Sequence, residues 1–189
     1  MKIFLLTILI FVFTSTASFL FSQTSTRYDD TRDGNDYKTV AIGGKTWFSQ
    51  NLNYSSTSGS WCYEGSSKEC DKNGRLYCFE GAKTACPSGW RLPSREDFES
   101  LIEFSGGLKN SGTFNVLNSS GSTGFNVQYA GYRNNLGLFV GKGNESGYWM
   151  NVPVKKKKVT VAYFSKSEGT IKFVKIKPSE RAFSVRCVK

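Results

Sequence analysis

The chain has 189 residues, with 25 Lys and Arg against 15 Asp and Glu, no histidine, and a formal charge of +10 at pH 7. The missing histidine excludes Ser–His–Asp and Cys–His nucleophile systems and every His-containing zinc site. Residues 1–150 hold 14 Lys and Arg against 13 Asp and Glu, whereas residues 151–189 hold 11 against Glu168 and Glu180, so an electrostatic partner has to be sought in the C-terminal segment.

Lys2 followed by the apolar run IFLLTILIFVF (3–13) has the form of an export signal, too short to span a bilayer and broken by the polar TSTAS. Residues 1–22 are predicted to be removed, with cleavage after Ala17 or Ser22. The chain is then expected to be secreted or held in the cell envelope, with no membrane span after removal. Residues 23–33 (QTSTRYDDTRD) read as a disordered lead-in. Residues 34–189 read as one domain, long enough to bury a core.

YKTVAI (37–42), the Gly43-Gly44 turn and KTWF (45–48) predict a β-hairpin. NLNYSSTSGS (51–60) reads as loop, and WCYEGSSKEC (61–70) as a segment closed on itself between two cysteines. Asn73-Gly74 signals a tight turn, followed by a short helix in the middle of RLYCFEGAKTAC. Pro93 then stops the chain, Ser94 is an N-cap, and Asp97 completes a capping-box variant. Phe98, Leu101 and Ile102 form one apolar stripe and Gly106-Gly107 a stop, which predicts an amphipathic helix over 94–105. Residues 106–157, rich in Gly, Asn and Ser, read as a long-loop region. KVTVAYF (158–164) and TIKFVKI (170–176) predict a second hairpin. AFSVRCV (182–188) alternates, with Phe183, Val185 and Cys187 on one face and Ser184 and Arg186 on the other.

Five cysteines in an exported chain point to disulfides. If residues 78–86 are helical, Cys78 and Cys86 lie about 12 Å apart along the axis, beyond bridging distance. If Asn73-Gly74 closes a two-residue hairpin, Cys70 faces Tyr77 rather than Cys78. The economical pairing is Cys62–Cys70 and Cys86–Cys187, with Cys78 a free thiol packed in the core. No metal site is expected: DDTRDGND (29–36) begins like a calcium loop, but Val40 stands where a bidentate Glu is needed.

YKTVAIGGKTWFSQNLNY (37–54), SWCYEG (60–65), CDKNGRLY (70–77), AKTACPSGWRLPSREDFESLI (82–102) and FSVRCVK (183–189), in that order, resemble the Fibrobacter succinogenes major paralogous domain family. More distantly, GWRLPSREDFE and VRCV resemble the formylglycine-generating sulfatase-modifying enzymes and the C-type-lectin-like fold. The resemblance implies a compact α+β, C-type-lectin-like domain with two helices, a small antiparallel sheet joining the N- and C-terminal strands, and a long-loop region. It also implies an exported bacterial surface or secreted module. The formylglycine-generating enzymes use a C-terminal cysteine pair for copper-dependent oxidation. Here Cys187 is the only cysteine in the last hundred residues, and neither catalysis nor a cofactor is expected.

Tyr148, Trp149 and Asn151, beside Lys155, Lys156, Lys157 and Lys158, form the candidate ligand site. Aromatic faces with amide and cationic groups suit sugar rings that carry acidic substituents. In the competing reading Trp149 is core and the lysines are gatekeepers that block sheet-to-sheet aggregation. The expectation is a non-enzymatic binding module for an acidic glycan or other surface polymer. The alternative is a structural envelope or assembly protein making protein–protein contacts. Nucleic acid is not expected, because basic charge alone is unspecific and an exported chain seldom meets it.

Overall fold

A computed structural model describes residues 26–118 and 120–189. The expected export signal at 1–22 lies outside the described residues. The chain opens with a three-stranded antiparallel sheet, β1 (Thr26–Asp30), β2 (Asn35–Ile42) and β3 (Lys45–Phe48), in that order. The β2–β3 hairpin turns at Gly43-Gly44 as the sequence indicates. From Thr26 on, β1 overturns the disordered lead-in read over 23–33, whose first three residues lie outside the described ones. Its TRYDD sequence has no apolar alternation, but it pairs with β2 along its whole length, from Thr26↔Thr39 to Asp30↔Asn35. Tyr28 packs its ring 5.5 Å from Trp90, and buried Asp30 accepts from the Arg32 guanidinium at 2.6 and 2.8 Å.

After β4 (Ser60–Trp61), a 3-10 turn at Tyr63–Gly65 leads into α1 (Ser67–Asn73), then β5 (Leu76–Tyr77) and α2 (Phe79–Lys83). Asn73-Gly74 therefore ends a helix rather than closing a hairpin. Gly74 has φ +72°, and a Cβ there would stand 2.6 Å from the Asn51 side chain. The Cys62–Cys70 bridge forms through α1, which turns Cys70 back toward Cys62. Cys86–Cys187 is the second bridge, across 101 residues. Cys78 is free and half-buried; it caps α2, its sulfur accepting from the Gly81 N–H at 3.3 Å.

α3 (Arg95–Phe104) has the predicted cap and stripe. The Ser94 hydroxyl accepts from the Asp97 N–H, the Asp97 carboxylate accepts from the Ser94 N–H, and Phe98, Leu101 and Ile102 are buried. The long-loop region holds more regular structure than its composition suggests: α4 (Ser111–Leu117), β6 (Tyr132–Asn134), β7 (Phe139–Val140) and β8 (Glu145–Trp149). Four α-helices rather than two thus occur among the described residues. α4 forms because the Asn110 side chain accepts from the Gly112 N–H at 2.8 Å and Phe114 and Leu117 bury one face. β9 (Val159–Ser165) and β10 (Thr170–Ile176) make the second predicted hairpin and add to β8 in the order β10-β9-β8. β11 (Arg181–Ala182) joins β6 and β7, and β4 pairs with β5.

The molecule is mixed α+β with small antiparallel sheets, and its strands separate two apolar clusters. Phe48, Trp149, Val161, Phe183, Val185 and Cys187 lie in one; Trp47, Phe98, Tyr148, Ala162, Phe164 and Val188 lie in the other. Sequence neighbours such as Trp47/Phe48 and Tyr148/Trp149 divide between the two, so these strands are buried on both faces.

The C-terminal segment is buried on both faces as well. Only Arg181–Ala182 counts as strand, and residues 183–188 run through successive partners. The Leu52 N–H donates to the Val185 carbonyl at 2.9 Å, the Phe48 N–H to Cys187 at 3.0 Å, and the Trp149 N–H to Ser184 at 3.1 Å. Ser184 and Arg186, on the opposite face from Phe183, Val185 and Cys187 as the alternation predicts, are wholly buried too. Arg186 is satisfied by oxygens rather than by a carboxylate. Its Nε donates to Asn51 Oδ1 at 2.9 Å, Nη1 to the Phe48 carbonyl at 3.2 Å and to that of Phe125, and Nη2 to Asn126 at 2.6 Å. The guanidinium also stacks 4.7 Å from the centre of the Phe125 ring.

Candidate functional site

Two of the predicted site residues are not available to a ligand. Tyr148 and Trp149 are both 0% exposed. β8 is the inner strand of its local arrangement, with β9 on one side and the Ser184 segment bridged to Tyr148 on the other. Tyr148 packs against Phe164 at 5.5 Å, and Trp149 packs against Phe183 at 5.3 Å while its indole N–H donates to the Tyr77 carbonyl at 2.7 Å. An aromatic platform at these positions is ruled out, because a strand covered on both faces leaves neither ring free. Asn151 is exposed, its N–H bonded to the Pro93 carbonyl at 2.8 Å, but it does not line the cleft described next.

Lys155, Lys156, Lys157 and Lys158 are exposed, as expected, and form a tight turn between β8 and β9. The Lys155 N–H donates to the Lys158 carbonyl at 2.9 Å and the Lys158 N–H donates back at 3.0 Å. Lys156 and Lys157 take the left-handed conformation, with φ +51° and +61°. A two-residue turn with both central φ positive is normally built from Asn-Gly or Gly-Gly. For a residue with a Cβ the left-handed region costs about 1–2 kcal/mol. The turn therefore holds two lysines where local preference calls for other residues, and such departures concentrate at functional sites.

Beside this turn lies a cleft of ≈ 520 Å³ lined by Arg95, Glu96, Val152, Pro153, Lys155, Lys156, Lys158, Thr160 and Lys175. Each wall has a local origin. The Ser94 cap starts α3 where Arg95 and Glu96 face outward. Val152 and Pro153 form the apolar floor, and Lys175 stands opposite Thr160 in the β9–β10 ladder. Arg95 is fixed twice, since its Nε donates to Glu99 at 2.7 Å and its guanidinium lies 4.6 Å over the Phe173 ring. Among the described residues none of Lys155, Lys156, Lys158 and Lys175 pairs with a carboxylate. Four unpaired lysines, and Arg95 with its partner Glu99, thus share the cleft with one lining carboxylate, Glu96, beside the apolar Val152 and Pro153. Such a cleft attracts an anion with some apolar surface, and no charge in it has to be stripped of water.

The helix start is held firmly behind the cleft. Asp97, 5% exposed, accepts from the Arg91 guanidinium at 2.5 and 3.1 Å and from the Ser94 N–H at 2.7 Å. Burial alone would push its carboxyl up, but Arg91 and the Ser94 amide outweigh that and hold it below the usual carboxylate range. The sequence pointed to three lysines of the cleft but missed Arg95, Glu96, Thr160 and Lys175. The available clue was the opening of α3, whose outward residues had no apolar role.

Among the described residues no group of three or more His, Cys, Asp or Glu is arranged to hold a metal ion. No helix among them is long and apolar enough to cross a membrane. The family model described as Fibrobacter succinogenes major domain matches residues 40–189. No curated protein and no solved structure matches the chain.

Proposed function

The chain belongs to the Fibrobacter succinogenes major domain family, and from that premise and its basic cleft we propose that it is an exported, non-enzymatic module that binds an acidic glycan or similar surface polymer. The observation that carries this reading is the set of lysines without carboxylate partners, held around an apolar floor by a turn with two left-handed lysines. A structural turn would use Asn-Gly and avoid the strain; a turn that presents ammonium groups needs lysine. Exposed, flexible cations suit a polymer with repeated charges better than a single buried anion, since each contact is weak and the repeats add. Export accords with two disulfides, which form and persist in oxidising compartments.

The second reading is an assembly protein that contacts another protein through this face. It draws on Val154, 53% exposed beside the lysine turn. An array of acidic and neutral glycans, probed at low and at physiological salt, tests the first reading. Uronate-bearing or sulfated glycans should be retained at low salt and released at higher salt. Retention of no acidic glycan at either salt would leave the assembly reading, which sedimentation of the protein alone and with envelope extracts would then examine.

A further inference from the structure

On the other face of the β8–β9–β10 sheet lies a second group of side chains, in which Tyr132 and Tyr163 pack at the half-exposed edge of the first apolar cluster. Tyr132 of β6 and Tyr163 of β9 are both half-buried, and both rest on Phe183, with ring centroids 5.7 and 6.3 Å from it. Phe183 reaches that position because residue 147 is glycine: a Cβ there would stand 2.2 Å from the Phe183 ring. The two tyrosine rings thus flank a single buried phenylalanine and lie at most about 12 Å apart. The Arg181 guanidinium stacks 4.4 Å from the centre of the Tyr132 ring. Glu145 stands two residues along β8 from Gly147, the residue opposite Tyr163, and so on the same face of the sheet; burial and this neighbouring carboxylate together push the Tyr163 phenol above its ordinary pKa. Among the described residues neither Arg181 nor Glu145 forms an ion pair. A guanidinium and a carboxylate therefore stand on one surface, half-exposed, each with hydrogen-bonding capacity to spare.

We propose that this surface is a binding site for a neutral sugar ring, with Tyr163 stacking on a pyranose face while Arg181, held in place by its stack on Tyr132, donates to ring hydroxyls and Glu145 accepts from them. β-Linked pyranoses with equatorial substituents present flat C–H faces suited to such rings. Paired donor and acceptor groups at the rim suit hydroxyls, which both donate and accept. A charged polymer would gain nothing from Glu145, so the ligand unit here is uncharged. The site rests on the glycan-binding reading only in taking the ligand to be a carbohydrate. It lies on the opposite sheet face from the lysine cleft, so the two can fail separately.

The test uses the mature protein with both bridges intact and two probes, chitohexaose and xylohexaose, by saturation-transfer NMR and calorimetry. At least one hexaose should bind, with affinity unchanged between low and physiological salt. Tyr132→Ala and Tyr163→Ala should each weaken binding about tenfold. Arg181→Gln, which keeps both aromatic side chains, should weaken it severalfold with at most a small fall in the unfolding midpoint from the lost stack on Tyr132. Replacing Lys155 to Lys158 with serine should leave hexaose binding intact even where it abolishes retention of polygalacturonate. If neither hexaose binds, or if all three surface variants bind as the unaltered protein does, the proposal is wrong. If hexaose binds but polygalacturonate does not, this site stands and the acidic-polymer reading falls.

Discussion

Replacing Arg186 with methionine keeps much of the side-chain volume and removes every donor. Four oxygens then lose a charge-assisted bond: Asn51 Oδ1 and the carbonyls of Phe48, Phe125 and Asn126. Leaving a buried acceptor unsatisfied costs about 1–3 kcal/mol, and loss of the stack on Phe125 adds about 1–2 kcal/mol. Against this, methionine does not carry the several kcal/mol penalty of burying a guanidinium. The net expectation is a loss of about 3–5 kcal/mol, a large fraction of the 5–15 kcal/mol typical of a whole domain. Because the four bonds tie β3 and the Asn51 loop to the 125–126 segment, the variant should also loosen that segment ahead of global unfolding. Guanidinium titration of the oxidised protein, followed by tryptophan fluorescence, measures the first effect, and amide exchange at residues 125–127 the second. A methionine variant as stable as the unaltered protein would refute the reasoning and class Arg186 with buried charges that a hydrophobic residue replaces without loss.

Removing the Cys86–Cys187 bridge by paired alanine substitutions should cost up to about 5 kcal/mol in the chain-entropy model, against about 2–3 kcal/mol for the short Cys62–Cys70 loop; equal losses in chemical denaturation would contradict that ordering. Asp97 has its folded-state pKa lowered, so its contribution is complete above about pH 4 and is lost as pH falls from there through the folded value. Asp97→Asn should therefore be less stable at pH 7 and show a shallower acid limb, with the two proteins converging in strong acid; an equally steep acid limb in the variant would contradict this. Lys156→Asn with Lys157→Gly should stabilise the fold by about 1 kcal/mol by relieving two left-handed lysines and should weaken binding of an acidic polymer. Unchanged stability in thermal unfolding would mean the turn stores no strain.

What the sequence made legible was what neighbours decide. The Gly43-Gly44 hairpin, the Ser94 cap with its Phe98 stripe and the β9–β10 hairpin each need only a few adjacent residues, and each is present. The two bridges were legible too, although the Asn73-Gly74 hairpin used in pairing Cys70 is a helix end instead. Tyr148 and Trp149 were offered as a ligand platform because a Gly-, Asn- and Ser-rich stretch reads as loop; the stretch is instead β8, covered on both faces, and the competing reading of Trp149 as core holds. β1 was missed because its polar residues form a strand only when β2 is there to pair with. The cleft was half legible. Its lysines are consecutive, but Arg95 and Lys175 come from elements 80 residues apart that only the folded chain brings together.

The central claim is that exposed lysines around the cleft hold an acidic polymer, and the salt dependence of polygalacturonate binding tests it most directly. Calorimetry from low to physiological salt should give an affinity that falls steeply with salt, as for any contact that releases counterions. The Lys155 to Lys158 serine variant should bind more weakly at low salt, with a log–log slope shallower by up to about one unit per lysine engaged, and an unchanged unfolding midpoint. Equal affinity and equal slope for the two proteins would contradict the account and leave the lysines as guards of an exposed turn.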